Sequence, residues 1–437
     1  MVHDRVAVAA VGDAGGRDGR LHNRVRRGGT RVAPRRRIVH VPRTERRPRA
    51  GTGALLAVRH AGVAVACERG AAAWEGRRDV GGRRGASGGV RVKILLITHR
   101  YPPRTGGVET HVREIATRLA DRGHEVVVFS ADAGHDAPTE RTENGVHIRR
   151  FRSVSPSGAF YFAPQMAIAV RRSDVDVVHA HNYHAFPLSF AALGITDERF
   201  IVTTHYHGES ASGFRNVLLS AYHPLGKWAI RRADDVIAVS KWEQKCLRED
   251  FDIKPIVIPN GVDVEWFADV EPKEWNRPYL LCVGRLEEYK GIQYVIRAMT
   301  ELPEFDLLVA GSGSYRNELE QITHTVNVKD QVEFLGYVDE EELPRLYAGA
   351  DVYVTMSEFE AYGMTVSEAL AAGTPCVVRD TGGLSNWTGV EGVFDVQKNS
   401  PKMVAQAIVS AVDTQPSSDV IVSWKSVVDR LLGEVYT

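Results

Sequence analysis

Cysteine is scarce in this 437-residue chain: Cys67, Cys246, Cys282 and Cys376 are the only four, and no two form a C-x-x-C pair. That excludes a disulfide framework and a zinc knuckle, and it fits a reducing compartment. Long apolar runs are missing as well. The nearest, Ala54–Cys67, is broken by Arg59 and His60, so no stretch reads as a bilayer-spanning helix of about 20 residues. Arg26-Arg27 has no apolar region after it to make an export signal. Net charge is zero only in sum. Residues 1–90 carry 20 Arg, no Lys and 7 acidic residues, and the remainder holds 35 basic and 48 acidic residues.

Residues 1–90 also lack Phe and Tyr. A segment of Arg, Gly and Ala buries too little apolar surface to offset its chain entropy. Residues 1–89 are therefore expected to be a low-complexity extension, either disordered or translated from upstream of a true start at Val90 or Val92. A basic arm for nucleic acid is the alternative. Exclusive use of Arg over Lys argues for codon bias instead, so no nucleic-acid partner is expected. The extension should be dispensable for stability and activity.

From Lys93 the pattern becomes regular, in a chain long enough for two or three domains. Strands are predicted at 93–98, 125–130, 175–180, 200–204 and 235–240, with a helix over about 108–122 that buries Val108, Val112, Ile115 and Leu119. A second series follows at 279–283, 306–310, 332–335, 351–355 and 375–378, after a linker at 266–277. Strands alternating with helices imply parallel βαβ units. The expected division is 90–256, 257–415, and a closing helix in 416–437 that crosses back to the first domain.

The chemistry concentrates in Ser357-Glu-Phe-Glu-Ala-Tyr-Gly-Met-Thr-Val-Ser-Glu368 and the helix it opens. Gly363 supplies a turn, and the helix starts near Met364 or Thr365 and ends at Gly373. A helix start offers free N–H groups and partial positive charge to a phosphate. Glu360 and Glu368 flank it and can accept hydrogen bonds from diols. Both also fit capping boxes, Ser357-x-x-Glu360 and Thr365-x-x-Glu368, in which they would only satisfy helix ends. Upstream, Arg285 and Lys290 follow the strand 279–283, and Gly311-Ser-Gly313 follows 306–310. Ligands of open α/β sheets bind at such strand ends. Phosphates flanked by two hydroxyl-rich rings describe a nucleotide sugar.

The first half holds competing signals. His179-Ala-His181-Asn-Tyr-His184 has the spacing of a zinc triad, though core or cleft-lining histidines are commoner. Asp174-Val-Asp176 resembles a metal-binding D-x-D but precedes a strand, where turn aspartates are usual. His205 and His207 follow strand 200–204. Phe160-Tyr-Phe162 is flanked by Arg149, Arg150, Arg152, Arg171 and Arg172, which suits either anionic lipid headgroups or a solvated basic face beside an aromatic plug.

Gly284-Arg-Leu-x-x-x-Lys-Gly291, Ala310-Gly-Ser-Gly313, Phe334-Leu-Gly-Tyr337 and the E-x7-E segment stand in the order and spacing of retaining GT-B glycosyltransferases of family 4. Gly106-Gly-Val-Glu109, Thr204-His205 and Pro259-Asn-Gly-Val-Asp263 extend the resemblance over residues 92–437. It implies an α/β fold of two facing Rossmann-like domains with a deep cleft between them. The second domain would take a nucleotide-diphosphate hexose and the first a glycan, lipid-linked or small-molecule acceptor, as in cell-envelope glycan biosynthesis. By the same resemblance Glu368 holds the ribose diol, Glu360 the transferred sugar, and Arg285 with Lys290 the diphosphate. Gly311 and the backbone of Gly363, Met364 and Thr365 assist, and Gly107 approaches from the opposite domain. His205 lies against the donor sugar, catalytic with Glu360. His207 is an acceptor-side candidate on its place in the loop, or a satisfied loop histidine. No metal or cofactor is implied; the enzyme would be cytoplasmic, with peripheral contact at the inner membrane surface. The rivals are a metal-dependent hydrolase built on His179, His181 and His184, and a nucleotide-sugar-binding protein without turnover. One position departs from the family: Asn386 stands where Gly382-Gly383-x-x is often followed by Glu.

Overall fold

The computed structural model describes residues 91–132, 139–155, 160–208 and 213–437, so the expected extension lies outside the described residues. The first sheet contains β1 (Lys93–Thr98), β2 (Glu125–Ser130), β3 (Glu140–Glu143), β4 (Val146–Arg150), β5 (Val177–His181), β6 (Arg199–Thr203), β7 (Asp235–Ala238) and β8 (Ile256–Val257). Its order is β3-β4-β2-β1-β5-β6-β7-β8, parallel except for the β3–β4 hairpin. The second contains β9 (Tyr279–Val283), β10 (Asp306–Ala310), β11 (Val332–Gly336), β12 (Val352–Thr355), β13 (Cys376–Arg379) and β14 (Val393–Val396), ordered β11-β10-β9-β12-β13-β14 and wholly parallel.

Central strands such as Ile94–Ile97 and Leu280–Cys282 are buried on both faces, which is why they read as unbroken apolar runs. The order reverses between β1 and β5 in the first sheet and between β9 and β12 in the second. Ligands bind beyond the strand ends at such switch points. Here both open onto one cleft, lined by His99 and Asn182 from one side and Gly284 and Glu358 from the other.

The closing helix, Trp424–Arg430, continues as a π turn, Leu431–Val435. Val427, Val428 and Leu431 pack with Ile94, Leu96 and Ile115 of the first sheet's core. The structure adds β3, β4, β8 and β14 to the expected strands, β8 carrying Val257 into the first sheet, and the segment expected as a linker is packed. Residues Val264–Ala268 form a helical turn, and Trp275 donates from Nε1 to Asp306 at 2.9 Å.

Candidate active site

The cleft measures about 1280 Å³, above the ~300–1,000 Å³ that usually holds one small ligand, so it has room for two substrates. Its C-terminal wall begins where β9 and β10 end. A Cβ on Gly311 would lie 1.8 Å from the Gly284 carbonyl oxygen, so only glycine permits the two loops to cross. Beyond Gly284, exposed Arg285 donates to the Tyr289 hydroxyl at 2.7 Å. Lys290 closes the turn Glu288–Lys290 and donates to Glu360 Oε1 at 2.5 Å. Burial opposes the Lys290 charge, but the Glu360 carboxylate and the Tyr289 hydroxyl together outweigh it and raise the lysine pKa.

Gly363, at φ 93°, turns the chain into the helix Met364–Ala371. Neither capping box forms there. Thr365 Oγ1 instead accepts from the Tyr353 hydroxyl at 2.6 Å, and Glu368 Oε2 accepts from the Tyr347 hydroxyl at 3.0 Å. The helix start therefore has no side-chain cap, and Gly363, Met364 and Thr365 line the cleft. Burial pushes the Glu368 carboxyl up to about 7, with the Tyr347 hydrogen bond pulling the other way.

The opposite wall is built from the ends of β1, β5 and β6 and from the helix Gly107–Asp121. A Cβ on Gly107 would sit 3.5 Å from Met364 Sδ, so the two walls meet there. His205, just past β6, adopts φ 45° and is buried, with no hydrogen-bond partner at Nε2. Its backbone is fixed from outside the cleft by Glu243. That carboxylate accepts from Thr204 Oγ1 at 2.5 Å, from the Tyr206 N–H and from the Val239 N–H at 2.6 Å. Burial raises the Glu243 carboxyl to about 7 and depresses His205 well below the ordinary imidazole value. His207, half-buried, stacks on His184 at 4.1 Å, and both line the cleft.

The triad His179, His181 and His184 does not assemble. His179 spends both nitrogens on Tyr436 (2.7 Å) and Thr203 (2.8 Å), and His184 sits instead against His207 and Tyr206. The hydrolase expectation is corrected on that ground. A different trio, His111, His181 and His205, has ring nitrogens within 4.8 Å of one another. Their rings pack edge-to-face or stacked, with centroids 4.8 to 6.0 Å apart. The two aspartates fasten the start of β1: Asp174 pairs with Lys93 Nζ at 2.8 Å and Asp176 accepts from the Lys93 N–H at 2.7 Å. Arg150 is not on a basic face. It is buried in a two-pronged pair with Asp132, at 2.8 and 3.0 Å.

Sequence reasoning gave no site role to His99, Arg100, Glu109, Asn182 and Asn260, which all line the cleft, although Glu109, Asn182 and Asn260 lie in motifs quoted above. Glu109 is buried and pairs with Arg100 at 2.5 Å. His99 and Arg100 follow β1 directly, so the strand-end rule that found Arg285 also reaches them. Glu243 carried a signal too, since Ser240 caps its helix and accepts from the Glu243 N–H at 3.0 Å. Asn386, the departing position, joins the two halves. It accepts from the Trp242 N–H at 3.2 Å and donates to the Gly383 carbonyl at 2.7 Å.

Two mainly parallel sheets with their switch points facing across one cleft make a GT-B fold. Residues 105–266 match Glycosyltransferase Family 4 and residues 265–422 match Glycosyl transferases group 1. The chain belongs to glycosyltransferase family 4. An uncharacterized glycosyltransferase of Methanocaldococcus jannaschii is 31% identical over 72% of this chain and 88% of that protein. A phosphatidyl-myo-inositol mannosyltransferase of Mycolicibacterium smegmatis is 29% identical over 63% of this chain and 72% of its own length. The fold is shared with sucrose-phosphate synthase from Thermosynechococcus elongatus, at TM-score 0.64 and 21% identity over 79% of this chain and 98% of that one.

Proposed function

We propose that this glycosyltransferase moves a hexosyl group, with retention of configuration, from a nucleoside-diphosphate sugar to a hydroxyl of its acceptor. The observation that carries the reading is the C-terminal wall, where Arg285, the Lys290–Glu360 pair, an uncapped helix start and Glu368 converge. In this reading the cations and helix start stabilise the leaving diphosphate as its charge develops. Glu368 accepts from the ribose diol and Glu360 from hydroxyls of the sugar. Neutral His205 packs against that sugar, and Gly107 lets the opposite wall close on the phosphates.

On the acceptor side, burial keeps His99 and His184 unprotonated, and Arg100 is already paired with Glu109. A neutral imidazole offers one donor and one acceptor, so it can either accept from a hydroxyl or donate to it. That supports a hydroxyl-bearing glycan, lipid-linked or small-molecule acceptor with His207 beside it. No helix among the described residues is long and apolar enough to cross a membrane. Exposed Phe162 and Ile168, with Arg152, Arg171 and Arg172 nearby in the chain, support peripheral contact with an anionic surface on the cytoplasmic side.

Arg285→Ala and Glu368→Ala are expected to weaken nucleoside-diphosphate binding by roughly 10- to 150-fold each, the loss of one charge-assisted contact of about 1.5–3 kcal/mol. Calorimetric titration with UDP, GDP and ADP checks this, with thermal unfolding as the control for folding. Unchanged affinity would mean these residues do not touch the donor. Arg285, Lys290 and the helix start make a divalent ion redundant for the diphosphate, so activity is expected to survive EDTA. Loss of turnover with chelator and recovery with added metal would refute that part.

A further inference from the structure

We propose that Tyr347 is a positioning residue for the donor site, its hydroxyl clamping one oxygen of Glu368 so that the carboxylate meets the ribose diol in one fixed orientation. The proposal rests on the reading of Glu368 given above. Tyr347 lies on the helix Leu343–Gly349 and is fully buried. Its ring packs edge-to-face with Phe267 and Tyr353, at 5.8 and 5.5 Å, which fixes the direction of the phenol. The O–H points at Glu368 Oε2, 3.0 Å away. A parallel contact stands beside it, where Tyr353 on β12 donates to Thr365. Two buried tyrosines thus hold the two polar side chains that the helix start turns toward the cleft.

The arrangement matters because a carboxylate accepts at every lone pair, whereas a protonated carboxyl must donate at one position. Donation from Tyr347 favours the ionised form of Glu368 against the burial that raises its pKa. The other charged group acting on Glu368 is Glu340, which disfavours ionisation. Without the phenol, Glu368 should stay protonated to higher pH and rotate more freely.

The test is Tyr347→Phe, which keeps the ring and removes one oxygen. Affinity for whichever of UDP, GDP or ADP binds the wild type is measured from pH 6 to 9. Glu368→Gln run in parallel gives the pH dependence that belongs to the phosphates alone. The expected result is a 3- to 10-fold weaker affinity for Tyr347→Phe at pH 7.5, with the acid-side loss of binding moved to higher pH. KM for the sugar donor should rise by more than kcat falls. If Glu368→Gln is weak but Tyr347→Phe follows the wild type at every pH, Tyr347 only fills space and the proposal fails. If Glu368→Gln binds as the wild type does, the ribose reading itself is wrong.

Discussion

Acidification from pH 7.5 to 5.5 is expected to destabilise the protein and to lower its melting midpoint. The cause is a group of histidines closed off from water. Burial depresses His99 to about 3 and His111 to about 4, and holds His179, His181, His184 and His205 well below the ordinary value of 6.5. Unfolding frees these rings to bind protons below that value, while the folded state refuses them. Their contribution is therefore complete above pH 6.5 and is lost as the pH falls toward the folded pKa values. Each ring costs about 1.4 kcal/mol per pH unit in that window. Burial raises Glu109, Glu243 and Glu368, which act in the opposite direction. The buried rings outnumber the buried carboxyls, six against three, so the unfolded chain takes up more protons than the folded one and acid destabilises the fold. The apparent melting midpoint should fall between pH 7.5 and 5.5, which thermal unfolding across that range checks. A midpoint that stays flat would mean the rings take up protons without unfolding.

β1, β2, β9 and β10 stand at the predicted positions, whereas β5, β6, β12 and β13, buried as they are, lie one or two residues from theirs. Continuous apolar runs such as Tyr279-Leu-Leu-Cys-Val283 admit few other placements. β3 escaped because Glu140-Arg-Thr-Glu143 at the sheet edge is polar throughout and shows no strand period, whereas the alternation of Val146-His-Ile-Arg-Arg150 in β4 was a signal left unread. In the site, strand-end position was enough to mark Arg285, Lys290 and the Gly363 turn as candidates. What the chain could not reveal was pairing across long separations. Lys290 meets Glu360 across 70 residues and His179 meets Tyr436 across 257. The histidine motif failed for that reason, since His179 had satisfied its nitrogens from Tyr436 and Thr203. The Thr365-x-x-Glu368 capping box failed similarly, because Tyr353 and Tyr347 took the roles that local spacing assigned to the helix end.

The Lys290–Glu360 pair should dominate turnover. Each of Lys290→Ala and Glu360→Ala is expected to lower kcat by roughly 100- to 1,000-fold, the scale for removing one preorganised polar group from a transition state. The two side chains are 20% and 23% exposed, so neither is held by deep burial. They are held by each other and by the backbone, since the Gly383 N–H donates to the Glu360 carbonyl at 2.6 Å. In the proposed reading, a cation for the diphosphate and a carboxylate for the sugar are thereby set side by side before substrate arrives. Removing one leaves the other free to swing and unpaired, so the second mutation has little left to destroy. The double variant should be no worse than the weaker single one. Folding should change far less, because a partly exposed ion pair contributes at most about 1 kcal/mol. Kinetics of both singles and the double, set against their urea midpoints, complete the cycle. Losses that multiply in the double variant would show two independent contacts. Near-normal turnover in Glu360→Ala would reduce the pair to a structural tie.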